Sequence, residues 1–224
     1  MPTEPVFAVS ELFFSIQGES TYAGLPCVFI RLAGCNLRCD YCDARYSYEE
    51  EGRDYSLSEI ITFVDQYPGA MVEITGGEPL LQNNVIPLME SLLGGQRTVL
   101  LETNGSCDIS MVPAGVTVIM DVKCPGSGMS SSFRDENLAA LRVDDEIKFV
   151  LTSRQDYEWA VAFITGHALI DLRSGKALRP LLFSPVPGRV SAAELADWIL
   201  SDHLPVRLQL QLHKILWPAS DRGC

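Results

Sequence analysis

The chain has 224 residues, 47% of them hydrophobic and 21% charged, so a folded core can bury roughly 70% of the unfolded surface without a metal or disulfide staple. Its formal net charge of −12, from 17 Lys and Arg against 29 Asp and Glu, opposes sequence-independent attraction to nucleic acid or anionic membrane. These numbers favour a small-molecule substrate.

No apolar run approaches the roughly 20 residues that span a bilayer, and the opening MPTEPVFAVSELFFS has no basic stretch before an apolar one. A secretory signal is not expected. The seven cysteines then belong in a reducing compartment, where thiols bind metal or do chemistry. The expected location is cytoplasmic.

Strand candidates follow in order at Val28–Leu32, Met71–Thr75, Thr98–Glu102, Val116–Asp121, Glu146–Leu151, Pro180–Phe183 and Val206–Leu212. Helical patterns lie among them at Leu57–Gln66, Val85–Leu93, Arg134–Leu141, Gln155–Ile164 and Ala192–Leu200. Two helices open with Ser-x-x-Glu, at Ser56/Glu59 and Ser191/Glu194, the spacing of a capping box. This alternation predicts an α/β fold with a mainly parallel sheet and right-handed crossovers, in one domain over residues 1–224. Ligands in such folds sit beyond the carboxyl ends of the strands.

Cys35, Cys39 and Cys42 follow the first strand candidate in one loop, a spacing that can wrap three thiolates round a single centre. Cubane iron–sulfur clusters take thiolate ligands, usually four, and three leave one iron open. Structural zinc is the competing reading, in a non-enzymatic interaction module. It prefers a closed set of four ligands, yet Cys107 and Cys124 are isolated and His167, His203 and His213 are scattered.

The pattern Cys35-x3-Cys39-x-Tyr41-Cys42 resembles the signature of the radical S-adenosylmethionine (SAM) superfamily. The resemblance implies a [4Fe-4S] cluster on these cysteines, SAM chelated by the open iron, and reductive cleavage to a 5′-deoxyadenosyl radical. It also implies a partial, TIM-like barrel and a flavodoxin- or ferredoxin-type reductant. Tyr41, Cys42 and Asp43 would belong to the stretch that contacts SAM.

Gly76, Gly77 and Glu78 follow the next strand candidate. Paired glycines allow close backbone approach and can aim amides at a carboxylate, and Glu78 can accept from an ammonium group. Alone the segment reads as a plain turn; after the cysteine loop it resembles the superfamily's Gly-Gly-Glu motif. Glu102-Thr103-Asn104-Gly105 and Asp121-Val122-Lys123 also end strands, each a polar turn or part of the same site. Near the end, Arg207, Gln209, Gln211 and His213 alternate with Val206, Leu208, Leu210 and Leu212. That period of two fits either a solvated edge strand or a last strand turning its polar face into the mouth of an open barrel.

Ser15–Glu19, Phe29–Leu32, the cysteine loop, Thr75–Pro79, Glu102–Gly105, Asp121–Lys123 and Gln211–Lys214 together resemble the 7-carboxy-7-deazaguanine synthases. These are ring-contracting carbon–nitrogen lyases of queuosine and deazapurine biosynthesis. The resemblance implies 6-carboxy-5,6,7,8-tetrahydropterin as substrate, loss of ammonia, SAM as a regenerated cofactor, and a homodimer. By position, Ile16, Gln17, Gly18 and Glu19 would grip the pterin edge, Arg31 its carboxylate, and Thr103 and His213 the substrate. Gly76, Gly77, Glu78, Gly105, Asp121, Lys123, Ser184 and Pro185 would line the SAM site.

One departure concerns magnesium. The family often has a hydroxyl residue after the aspartate that follows the third cysteine, but this chain reads Asp43-Ala44. A magnesium ion would then depend on Asp43, substrate oxygens and water. The tail Trp217–Cys224 either closes over the substrate or frays. The nearest enzymatic alternative makes a glycyl radical on a partner protein; it would share the cysteine loop and Gly-Gly-Glu but not need Arg31 or a polar final strand.

Overall fold

The computed structural model describes residues 4–220 and 222–223; Cys224 lies outside them. The chain runs β1 (Val6–Ile16), β2 (Pro26–Leu32), α1 (Tyr46–Glu49), β3 (Arg53–Ser56), α2 (Leu57–Val64), β4 (Met71–Gly76), α3 (Val85–Gly94), β5 (Val99–Thr103) and β6 (Val116–Asp121). It continues through α4 (Glu136–Ala140), β7 (Glu146–Leu151), α5 (Arg154–Gly166), β8 (Ile170–Asp171), β9 (Lys176–Ala177), β10 (Leu181–Pro185), α6 (Ala192–Ser201), β11 (Arg207–Leu208) and α7 (Leu212–Leu216).

The main sheet is nine-stranded, in the order β11-β10-β7-β6-β5-β4-β2-β1-β3. From β2 to β11 every neighbouring pair is parallel, while β1 joins β2 and β3 antiparallel. The two ends of the order do not pair, so the sheet is a partial barrel.

Alternation along each strand sorts side chains onto two faces. Val28, Ile30 and Leu32 of β2, Val72 and Ile74 of β4, Val99 and Leu101 of β5, and Ile147, Phe149 and Leu151 of β7 share one core with Leu88, Met89, Tyr157, Ile164 and Leu195 of the helices. Each such fully buried apolar side chain contributes about 1.5–3 kcal/mol. The other face is the barrel interior. Its lower half is a small second core of Cys27, Phe29, Met71, Leu100 and Ile119, and its upper half is polar.

The predicted strands at Val116–Asp121 and Glu146–Leu151 form with those bounds, and the five predicted helices all form, with ends shifted by two residues or fewer. The short elements α1, β3, β8, β9 and α7 have no counterpart in the sequence reading, and two larger features also differ from it. Strand β1 has no place in the sequence-derived order, because its register shifts between Val9 and Glu11 and so breaks the period of two. The predicted last strand Val206–Leu212 shortens to Arg207–Leu208; beyond it Gln209 is buried and α7 begins at Leu212. Among the described residues no helix is long and apolar enough to cross a membrane.

Both predicted capping boxes form: Ser56 with Glu59 and Ser191 with Glu194 exchange reciprocal hydrogen bonds at the starts of α2 and α6. Ser191→Ala is therefore expected to destabilise the fold by about 1 kcal/mol, read as a lower urea midpoint with an unchanged slope.

Candidate active site

The upper inner face carries one or two polar side chains from each central strand: Arg31 on β2, Glu73 and Thr75 on β4, Glu102 on β5, Asp121 on β6 and Lys148 on β7. All of them line one cavity at the carboxyl ends of the strands. The loops that follow β2 and β4 close its wall, and glycine is required where they meet. Gly76 has φ +140, and a Cβ there would stand 2.1 Å from Leu32 O. At Gly77 it would stand 2.2 Å from Gly34 O and 2.6 Å from Cys35 Cβ. The Gly77 and Glu78 amides donate to Leu32 O and Gly34 O, at 3.3 and 2.9 Å. These glycines hold the cysteine loop against β4, and the Gly77 amide, expected to face a ligand carboxylate, donates to Leu32 O instead.

Cys35, Cys39 and Cys42 are free, half-buried and all on the cavity wall. The Leu37 amide donates to Cys35 Sγ at 3.4 Å, and Asn104 Nδ2 stands 4.0 Å from the same sulfur. Burial raises the Cys39 and Cys42 thiols, while the Lys123 ammonium and, at Cys42, the Ala44 amide oppose the rise. Burial prevails, so both groups rest as thiols until a metal takes the proton's place. Among the described residues no three His, Cys, Asp or Glu side chains converge tightly enough to hold a single metal ion. Bonds of about 2.3 Å would draw zinc thiolates onto one point, whereas a cubane takes its thiolates on separate irons. Three thiols on one wall fit a cluster with one open iron better than a closed four-ligand zinc site.

Among the described residues, one acceptor on the same cavity is left without a partner. Asp121 lines the cavity, and its Oδ1 is buried without a hydrogen-bond partner among the described residues, while Oδ2 accepts from Lys123 Nζ at 2.8 Å. Buried acceptors are rarely left unpaired, so a ligand donor at this point is expected. Lys123 Nζ also stands 5.9 Å from the centre of the Tyr41 ring.

The floor is charged and internally paired. Lys148 Nζ bonds Glu102, lies 2.9 Å from Glu19 Oε2 and 3.6 Å from Asp121 Oδ2. Burial alone would lower its pKa, but these carboxylates hold it well above the usual lysine range. Burial would likewise raise Glu102, yet the Lys148 ammonium keeps that carboxyl down. Glu73 moves the other way, pushed up by burial and by the Glu102 charge, and Gln17 Nε2 donates to it. On the opposite side Glu11 accepts from Arg31 Nε at 3.2 Å and from the Tyr46 hydroxyl at 2.6 Å. Among the described residues the terminal nitrogens of Arg31 form no hydrogen bond, which leaves its fork free.

Of the sequence-derived site residues, the cavity gathers Ile16, Gln17, Gly18, Glu19, Arg31, Cys35, Cys39, Tyr41, Cys42, Asp43, Gly76, Gly77, Thr103, Asp121, Lys123 and His213. Four others do not line it. Glu78 is fully buried and accepts from the Leu80 amide at 3.0 Å, the Asn104 amide at 2.7 Å and the Thr103 hydroxyl at 3.0 Å, so it ties loops together instead of meeting an ammonium. Gly105 turns with φ +72 against Phe133 and Met120. Ser184 and Pro185 are buried in β10, and Val186 and Pro187 reach the cavity in their place. The Gln17 amide is already paired, since its Oε1 accepts from the Glu19 amide at 2.9 Å.

Sequence reasoning passed over Glu73, Lys148, Glu11 and Tyr46. For Glu73 a signal was present, a single charge at the inward parity of an otherwise apolar strand, whereas Lys148 shares the inward parity of β7 with Glu146. Close to the mouth, a Cβ on Gly18 would meet His213 Nδ1 at 2.7 Å, and the Leu212 amide donates to Gly18 O at 3.0 Å. His213 Nε2 and Lys214 Nζ then face Asp43 Oδ2 at 3.7 and 3.3 Å. Burial would raise Asp43, but His213, Lys214 and Arg31 outweigh it and hold the carboxyl well below its usual range.

Residues 29–120 match the family model of the radical SAM superfamily. The chain is 45% identical over 224 residues to a 7-carboxy-7-deazaguanine synthase of Koribacter versatilis, covering 96% of this chain and 99% of the relative. It is 43% identical to the corresponding protein of Chlorobaculum tepidum, over the whole of both. The crystal structure of QueE from Escherichia coli shares the fold, with a TM-score of 0.72, 21% identity and coverage of 91% and 94%.

Serine at Cys35, Cys39 or Cys42 is expected to abolish stable iron loading, while Cys107→Ser and Cys224→Ser keep full iron and sulfide after anaerobic reconstitution. Cys27 and Cys124 are fully buried, so their serine variants should keep iron but lose about 1–3 kcal/mol of stability.

Proposed function

Because the chain belongs to the 7-carboxy-7-deazaguanine synthases of the radical SAM superfamily, we propose that it converts 6-carboxy-5,6,7,8-tetrahydropterin to 7-carboxy-7-deazaguanine with loss of ammonia. The observation that supports this most is one cavity bearing three thiols on one wall, an arginine fork on another and paired carboxylates on its floor. The thiols suit a radical SAM cluster, the fork a substrate carboxylate and the carboxylates the N–H groups of a pterin ring.

Cys35, Cys39 and Cys42 would hold the cluster, and Asp121, Lys123 and Tyr41 would hold SAM. When bound, this pair supplies the 5′-deoxyadenosyl radical that takes hydrogen from the pterin. The chain's own residues bind and orient. Arg31, steadied by Glu11 and Tyr46, offers its two terminal nitrogens to the substrate carboxylate, a pairing suited to a guanidinium. Glu19 and Glu102 accept from the N–H donors of the ring. Gln17 acts through Glu73 and the Glu19 amide, and Ile16, Gly18 and His213 shape the wall. Residues 1–224 act as one domain, and a homodimer fed by a flavodoxin- or ferredoxin-type reductant completes the reading.

Magnesium has no hydroxyl ligand at Ala44, and Asp43 already faces His213 and Lys214. A metal ion there would have to share that carboxylate with Lys214, whose Nζ stands 3.3 Å from Oδ2. Turnover is therefore expected to persist when divalent ions are removed with EDTA and to rise less than about twofold on adding magnesium, the lysine already supplying the local positive charge.

Arg31→Ala tests the substrate assignment. Losing a charge-assisted fork of about 1.5–3 kcal/mol should cut pterin kcat/KM by about tenfold to a hundredfold. Uncoupled SAM cleavage, followed as 5′-deoxyadenosine without pterin, should stay near the unaltered rate. Equal loss of both would remove Arg31 from the substrate site.

A further inference from the structure

The floor of the cavity holds a charge that the carried-over motifs do not include. Lys148 sits at the middle of β7 with its side chain 4% exposed, and its Nζ reaches carboxylates from three separate parts of the chain. These are Glu19 after β1, Glu102 on β5 and Asp121 at the end of β6. A buried ammonium is costly unless paired and hydrogen-bonded; here the pairing also arranges its partners. Lys148 takes one oxygen of Glu102 while the Thr75 hydroxyl takes the other at 2.9 Å. It takes Oε2 of Glu19 while Gln211 Nε2 donates to Oε1 at 3.0 Å. Each carboxylate oxygen keeps a further lone pair for a ligand.

Resting on the pterin reading above, we propose that Lys148 is a positioning residue that orients Glu19 and Glu102 as the paired acceptors for the N–H edge of the substrate ring. Asp121 depends on it less, because Lys123 stands closer, at 2.8 Å.

The charged groups around this pair set the sign of its pH dependence. Glu73 faces it from β4, Glu146 lies below on β7, and Arg31 on β2 and Lys123 beyond β6 act on Glu102. With Lys148 present, Glu102 stays ionised across the neutral range. Without it, burial and the neighbouring carboxylates raise the Glu102 carboxyl. Acceptor strength then grows only as pH rises and Glu102 ionises.

The test is anaerobic calorimetric titration of the cluster-loaded, SAM-bound enzyme with 6-carboxypterin, an oxidised ligand that the enzyme cannot turn over. Unaltered protein should bind it with nearly the same Kd at about pH 6 and about pH 8. Lys148→Met should bind about 30-fold more weakly at the lower pH and recover about fivefold at the higher one, while its SAM affinity changes less than about threefold. Lys148→Arg should restore the flat profile. If Lys148→Met does not fold, Glu102→Gln carries the test, with weak binding expected at every pH. A Lys148→Met profile as flat and tight as the unaltered one, or Glu102→Gln binding at full strength, overturns the proposal alone. Failure of the unaltered protein to bind 6-carboxypterin overturns the pterin reading and the proposal with it.

Discussion

The backbone of Leu32 to Cys35 rests on Gly76 and Gly77 at distances that exclude any side chain. Two adjacent parallel strands, β2 and β4, end in register there, with Leu32 opposite Gly76. The loop that leaves β2 therefore starts from a point fixed by backbone contacts and by the amides of Gly77 and Glu78. Glu78 extends the same brace to β5 through Thr103 and Asn104. Cys35, the first of the three thiols, stands directly on this brace, so the start of the cysteine loop is set by strand register as well as by cysteine spacing. An alanine at either glycine would move backbone, and Cys35 with it.

The second constraint is charge. An interior of low effective dielectric strengthens paired charges and penalises lone ones. On the inner face the cations alternate with the acids: Arg31 with Glu11, Lys148 with Glu19 and Glu102, Lys123 with Asp121. The exceptions are Glu73 and Glu146, whose carboxyls are pushed up by burial and which are held by Gln17 and Thr21. A site so arranged presents a fork to an anion on one side and acceptors to N–H groups on the other, without moving side chains. At the mouth Arg222 pairs with Glu50 and lies 4.2 Å from the centre of the Tyr46 ring, so the tail crosses the edge of the cavity near Arg31.

Much of this was legible before any coordinates. Apolar runs at Val116–Asp121 and Glu146–Leu151 are interior parallel strands, and buried strands of that kind read plainly because both faces are covered. The cysteine loop and the two glycines stand where a short motif says they should. What the motifs could not convey is which side of a residue is used. Glu78 and the Gly77 amide look like ligand-binding groups in a linear pattern, yet their partners are loops brought close by the sheet. Ser184 and Pro185 miss the cavity because β10 continues two residues further than its apolar run suggests. Lys148 was hidden for the opposite reason: a single lysine in a strand looks incidental until β5, β6 and the loop after β1 place their carboxylates around it. Strand β1 escaped because its bulge breaks the alternation.

The most direct measurement is mass spectrometry of the product formed from 6-carboxy-5,6,7,8-tetrahydropterin by the reconstituted, anaerobically reduced protein. The account predicts 7-carboxy-7-deazaguanine, with SAM recovered rather than consumed in proportion. Cleavage of SAM to 5′-deoxyadenosine with the pterin returned unchanged would contradict it.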